Sequence, residues 1–217
     1  MSNNAGIFDR VAERGVVSVL TVEDEEQAVP LARALLAGGV DAMELTLRTP
    51  AAMGALKRIR KEVPEMIAGI GTILNLSQVA EVVEAGASFG VSPGLNEAVV
   101  AEARRRGLPF APGVATPSEV ERALELDCVT LKFFPAEPMG GLGYLKAMAA
   151  PYKHLGVRFL PLGGLSPANM ETYLEESCVA AIGGSWIASP ALIQSADWKT
   201  IESNAAGAVA SVKRVRG

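Results

Sequence analysis

The chain reads as an α/β fold, a small single-domain (β/α)8 TIM barrel spanning residues 1–217, and three observations lead there. Short apolar runs recur, beginning near Val16, Asp41, Met66, Ser88, Pro109, Cys128, Arg158 and Val179. Successive starts lie roughly 19 to 30 residues apart, enough for one strand, one helix and two short loops. Many runs are apolar at nearly every position, as in Val16-Val17-Ser18-Val19-Leu20 and Val179-Ala180-Ala181-Ile182, the pattern of parallel strands covered on both faces. The alternative is an open doubly wound sheet. It would carry fewer strands at this length, and no G-x-G-x-x-G follows the first run.

Taken in order, residues 3–14 form an expected extra helix that closes the bottom of the barrel. After the first strand, residues 25–37 place Ala28, Val29, Ala32, Leu35 and Leu36 on one stripe, as an amphipathic helix requires. The second strand carries Glu44-Leu45-Thr46-Leu47-Arg48, the third ends Gly69-Ile70-Gly71-Thr72, where the glycines are expected to let a ligand approach the backbone, and the fourth ends Ser92-Pro93-Gly94. Gly38-Gly39, Gly86, Gly107 and Gly156 mark helix ends. The basic run Arg104-Arg105-Arg106 is a solvated last turn that complements a helix dipole. Thr116-Pro117-Ser118-Glu119 and Ser166-Pro167-Ala168-Asn169 have the form of an N-cap followed by proline at the first helical position. The seventh and eighth strands end in Gly163-Gly164 and Gly183-Gly184-Ser185.

Composition removes several functions. A hydrophobic fraction of 49% supports a substantial core, and a net charge of -4 argues against nucleic acid as a partner. Cys128 and Cys178, each before an apolar run, read as buried thiols of a reducing compartment. No apolar run reaches membrane-spanning length and no N-terminal apolar leader stands out, so a soluble cytoplasmic protein without membrane partners is expected. The single histidine, His154, lies in a polar segment, and no His/Cys cluster has metal-ligand spacing, so no metal is expected.

Lys132 stands out against this background. It lies near the end of an apolar run, Cys128-Val129-Thr130-Leu131-Lys132-Phe133-Phe134-Pro135. An unpaired ammonium in such a strand costs several kcal/mol, and a buried amine that sheds its proton is a nucleophile for carbonyls. The bland alternatives are a lysine that snorkels outward or pairs with a carboxylate for structure. Glu44, Thr46 and Arg48 alternate with leucines and so share one face, pointing into the barrel. Read blandly, Glu44 and Arg48 form an internal ion pair. Read functionally, Glu44 moves protons and Arg48 clamps a carboxylate, with Thr72 adding a hydroxyl. The two Gly-Gly sites fall where barrels commonly bind phosphate, although tight turns alone also call for glycine. Together these residues suit a Schiff-base cleavage of a 2-oxo acid to pyruvate and an aldehyde. An isomerase or epimerase on a phosphate-binding barrel, or a non-catalytic ligand sensor, are the competing readings.

The stretches Glu44-Leu45-Thr46-Leu47-Arg48-Thr49, Gly71-Thr72, Ser92-Pro93-Gly94, Leu131-Lys132-Phe133-Phe134-Pro135-Ala136-Glu137 and Gly183-Gly184-Ser185-Trp186 resemble, in order, the 2-keto-3-deoxy-6-phosphogluconate (KDPG) / 4-hydroxy-2-oxoglutarate (KHG) aldolase family. The resemblance implies a class I aldolase without cofactor or metal, assembled as a homotrimer. Its substrates would be a 2-oxo acid and a phosphorylated aldehyde. It assigns Lys132 as the Schiff-base lysine and Glu44 as the general acid/base, with Arg48 and Thr72 binding pyruvate. Pro93 and Phe134 would line the pocket, and Gly163, Gly164, Gly184 and Ser185 would hold the phosphate end. Two positions depart from the family pattern. Leu162 stands where a threonine is usual, as in galactonate-type relatives with an aliphatic residue there, which leaves the C4-epimeric phosphogalactonate substrate as an alternative. Ser18 stands where proline is usual.

Overall fold

The structure, a computed structural model, describes residues 5–217. Helix α1 (Ala5–Arg14) leads into strand β1 (Val16–Leu20). There follow α2 (Ala28–Ala37), β2 (Ala42–Thr46), α3 (Ala52–Glu62), β3 (Ile67–Gly71), α4 (Leu76–Glu84) and β4 (Gly90–Val91). Next come α5 (Glu97–Arg105), β5 (Phe110–Ala111), β6 (Gly113–Val114), α6 (Pro117–Glu125) and β7 (Thr130–Phe133). The chain ends with α7 (Gly141–Ala149), β8 (Arg158–Pro161), α8 (Met170–Leu174), β9 (Ile182–Gly184), α9 (Pro190–Gln194) and α10 (Trp198–Arg216).

All strand pairs are parallel. Six strands run in the order β5-β4-β3-β2-β1-β9, and three in the order β6-β7-β8. Isolated parallel bridges join Phe159 to Val179 and Leu162 to Gly183, between the β8 and β9 segments. The single strand expected from Pro109 is split into β5 and β6. Pro112 sits at the break and has no N–H to donate to a ladder, although its carbonyl accepts from Lys132 N–H at 2.9 Å.

Strand alternation divides the interior into two apolar regions. Val16, Leu20, Met43, Leu45, Leu131 and Phe133 face the helices. Val17, Ala42, Ile67, Phe89, Val91 and Leu160 form the opposite, inner cluster. Phe8 and Val11 of α1 pack into that inner cluster, with the Phe8 and Phe89 ring centroids 5.7 Å apart, as expected of a helix that plugs the N-terminal strand ends. Residues 3 and 4 of the expected helix lie outside the described residues.

Several local expectations hold in detail. Thr116 caps α6 in a reciprocal capping box with Glu119, and Pro117 takes the first helical position. Arg104, Arg105 and Arg106 form surface ion pairs with Asp127 and Glu102. Others are corrected. The stretch expected as one helix from residue 25 opens as a 3-10 turn, Glu25–Gln27, capped by Asp24, before α2 begins. Ser166 does not cap a helix starting at Pro167. Its N–H donates to Asn169 Oδ1 at 2.8 Å in a tight turn, and α8 begins only at Met170. Cys178 is buried as expected, but Cys128 is only partly so. Burial, with Asp127 adding to it, pushes the Cys128 thiol up to about 11. Ser18 points to the helix side with Val16 and Leu20, and its Oγ is buried with no hydrogen-bond partner among the described residues. No helix among the described residues is long and apolar enough to cross a membrane.

Candidate active site

The C-terminal ends of β1, β2, β7, β8 and β9 converge on one cleft of about 170 Å³. Its lining includes Glu44, Arg48, Lys132, Phe134, Leu162, Gly163, Gly164, Gly184 and Ser185. Nine residues singled out in the sequence from four separate regions of the chain thus share one space.

Lys132 and Glu44 form the floor. On β7, Leu131 and Phe133 turn outward to the helices, so period-2 alternation sends Lys132 inward. On β2, Met43 and Leu45 turn outward and send Glu44 and Thr46 inward. Lys132 Nζ donates to Glu44 Oε1 at 3.0 Å and lies 3.4 Å from Oε2. Both residues are almost fully enclosed, at 6% and 3% exposure. The ammonium also sits 5.3 Å from the centroid of the Phe134 ring. The charge in the strand is therefore not alone. It does not snorkel outward, but is compensated by a carboxylate 88 residues away in the sequence.

Glu44 is not paired with Arg48. Arg48 lies beyond the end of β2, exposed at the mouth, and its guanidinium has no ion-pair partner among the described residues. Polarity is graded through the cleft, with a compensated ion pair at its floor and an unpaired cation at its rim. An anionic group entering the cleft would meet Arg48 first and leave the floor pair intact.

The glycines do different work from that expected. Gly71 is one of the glycines expected to admit a ligand. A Cβ there would collide with the Glu44 carboxylate, and one at Gly69 would collide with the Phe89 ring. These glycines make room for the chain's own side chains. Likewise a Cβ at Gly183 would come within 2.5 Å of Leu162 Cγ. Gly163 and Gly164 line the cleft and also have positive φ, +97° and +86°, so the turn and the opening share one cause.

Thr72 and Pro93 do not line the cleft. Thr72 follows Gly71, the β3 residue paired with Thr46, and Pro93 packs its carbonyl against Gly113. His154 lies exposed in a 3-10 segment, Ala150–Leu155, away from the cleft. Among the described residues no group of three or more His, Cys, Asp or Glu is arranged to hold a metal.

Sequence reading missed Thr21. Its Oγ1 lies 2.9 Å from Thr46 Oγ1, and both hydroxyls line the cleft with Val19, Leu165, Gly183 and Pro190. Thr46 was noted only as a member of the inward face. Thr21 follows the end of β1, where no alternation reports direction.

Fold and site together define an α/β protein whose parallel strands carry an amine, a carboxylate and a guanidinium into a single cleft. The model of the family described as "KDPG and KHG aldolase" matches residues 7–204. The KHG/KDPG aldolase of Escherichia coli (strain K12) is 46% identical over 198 residues, covering 91% of this chain and 92% of that protein. The 2-dehydro-3-deoxy-phosphogluconate aldolase of Treponema pallidum (strain Nichols) is 43% identical over 195 residues, covering 90% and 92%. The structure is similar to that of the KDPG aldolase from Legionella pneumophila with pyruvate captured as a covalent carbinolamine. The TM-score is 0.89 at 36% identity, covering 95% of this chain and 98% of that one. The chain belongs to the KDPG/KHG aldolase family.

Proposed function

We propose that the protein is a class I aldolase that reversibly cleaves 2-keto-3-deoxy-6-phosphogluconate to pyruvate and glyceraldehyde 3-phosphate. It would cleave 4-hydroxy-2-oxoglutarate to pyruvate and glyoxylate by the same chemistry. The observation that carries this reading is the enclosed Lys132–Glu44 pair at the cleft floor. Glu44 accepts a proton from Lys132, and the freed amine attacks the C2 carbonyl. Glu44 returns that proton to the departing C2 hydroxyl, and loss of water gives an iminium, which draws electrons from the C3–C4 bond. That bond breaks as the C4 hydroxyl gives its proton to Glu44, releasing the aldehyde and leaving an enamine. Protonation at C3 and addition of water then return pyruvate and the free amine. The pyruvate carbinolamine of the Legionella relative belongs to this sequence of steps.

Arg48, the unpaired cation at the rim, suits the substrate carboxylate, and the family resemblance adds the hydroxyl of Thr72, one residue past the end of the neighbouring strand β3. Gly163, Gly164, Gly184 and Ser185 suit the phosphate, with Phe134 packing along the chain between; Pro93 acts only from behind, its carbonyl packed against Gly113, the residue paired with Lys132. Leu162 offers no hydrogen bond to a C4 hydroxyl. That favours a second substrate, the C4 epimer 2-keto-3-deoxy-6-phosphogalactonate.

Several broader features belong to the same reading. Residues 1–217 form one domain, and the strands close into an eight-stranded barrel. In support, β5 and β6 are separated only by Pro112, and the bridges from Phe159 and Leu162 link β8 to β9. On this reading the protein is a cytoplasmic homotrimer acting on small molecules, as the family resemblance implies. Leu74 and Leu76, 53% and 49% exposed after β3, offer apolar surface for an interface.

Borohydride in the presence of pyruvate tests the core claim. The expected result is a covalent adduct on Lys132 with loss of activity. A protein that turns over without any pyruvate-dependent mass shift would overturn it.

A further inference from the structure

We infer that Glu137 and Tyr173 form a positioning pair that fixes the Gly163–Gly164 loop and so sets affinity for the phosphate end of the substrate; this rests on the reading of that loop as the phosphate subsite. Neither residue lines the cleft. Gly163 and Gly164 have no side chains with which to anchor themselves, and their positive φ leaves the loop dependent on outside contacts. Glu137 provides two of these. Its N–H donates to Gly163 O at 3.0 Å. Its Cβ and Cγ pack over Gly164, 2.6 and 2.7 Å from where a Cβ would stand. Asn169 Nδ2 adds a longer bond to Gly164 O at 3.3 Å.

Glu137 itself lies in the exposed turn after β7, and a long acidic side chain there has rotamers to spare. What holds it is Tyr173. This tyrosine, on α8, is 1% exposed, and its O–H donates to Glu137 Oε1 at 2.5 Å. Burial, and then the Glu137 carboxylate, raise the Tyr173 phenol above its ordinary range, so the hydroxyl keeps its proton throughout neutral pH. The pair thus ties the turn after β7 to the helix after the loop, with Gly163 and Gly164 held between them. Backbone N–H groups must be aimed closely to hold an anion, and a buttress that lets the loop drift weakens anion binding without touching the amine at the floor.

Three variants test this: Tyr173→Phe, Glu137→Ala and Glu137→Gln. Two readouts are needed. One is KM and kcat for the phosphorylated 2-oxo acid. The other is deuterium exchange into the pyruvate methyl group, which uses Lys132 but no phosphate. Loss of a hydrogen bond to a carboxylate should raise KM for the phosphorylated substrate about tenfold in Tyr173→Phe and Glu137→Ala, with kcat and pyruvate exchange within about twofold of wild type. Glu137→Gln keeps an acceptor for the tyrosine and should stay within about twofold throughout. An unchanged KM in both Tyr173→Phe and Glu137→Ala overturns the inference, as does a parallel fall in pyruvate exchange. Should Tyr173→Phe fail to fold, the two surface variants at Glu137 decide the matter. Wild-type kinetics on a non-phosphorylated analogue separate the levels: equal KM values refute the phosphate subsite itself, whereas discrimination untouched by the variants refutes only the positioning role.

Discussion

Removing one member of the Lys132–Glu44 pair should cost far more stability than removing both. At 3.0 Å and an effective dielectric of about 20, the attraction is about 5.5 kcal/mol before desolvation. Enclosing each ion costs several kcal/mol, which leaves the intact pair near balance. Lys132→Met strands a carboxylate at 3% exposure, and Glu44→Leu strands an ammonium at 6% exposure. Each single variant should lose about 3–5 kcal/mol. The double variant Lys132→Met/Glu44→Leu places two apolar side chains beside Val17, Phe89, Val91, Leu160 and Leu162, and should fall within about 1.5 kcal/mol of wild type. Urea unfolding of all four proteins at pH 7 measures this, with the slope checked for a common unfolded state. Aldol cleavage should be lost in all three variants, which separates stability from chemistry. Additive losses in the double variant would refute the reasoning, because they would mean that neither charge compensates the other.

Four further outcomes follow from particular contacts. Leu162→Thr, which restores a hydroxyl to the cleft wall, should raise the gluconate-to-galactonate ratio of kcat/KM by about tenfold or more, and an unchanged ratio would exclude Leu162 from stereochemical choice. Native Cys128, with its thiol pushed up to about 11, should react with iodoacetamide at pH 8 at least about tenfold more slowly than in urea and accelerate above pH 10; fast native labelling would contradict its burial. Glu102 is held down to about 2 by hydrogen bonds from Arg105 and Arg106, against an ordinary 4.5. Because its folded value is the lower one, its contribution is complete above pH 4.5 and fades as pH falls towards 2; unfolding curves of wild type and Glu102→Gln should therefore converge on acidification, and a gap that widens would reverse the sign. Thr116→Ala breaks the α6 capping box and should cost about 1 kcal/mol in urea unfolding, with no change in KM.

Much of the site was legible because strands have a fixed period. Alternation alone put Glu44 and Thr46 on the inward face of β2, and the leucines and phenylalanines around Glu44 and Lys132 marked which face was which. The capping box at Thr116 and the helix-ending glycines were legible because they depend on residues within a single turn. Ser166-Pro167 shows the limit. Its motif fits a helix start, but Asn169 accepts from Ser166 N–H and closes a tight turn first. Local sequence allowed both, and the connection from Gly164 to α8 selected one.

The sequence by itself determined the strand and helix rhythm, the parallel α/β class, the inward direction of the chemical side chains and the family resemblance. These depend on neighbours a few positions away. Only the tertiary structure decided that Glu44 meets Lys132 rather than Arg48, that Arg48 has no ion-pair partner among the described residues, and that Gly71 makes room for a carboxylate instead of a ligand. It alone brought Thr21 to Thr46 and Tyr173 to Glu137. The physical reason is distance along the chain. Periodicity sets the face from which a side chain projects, but partners 25 to 88 residues away are set by the order and register in which the strands assemble.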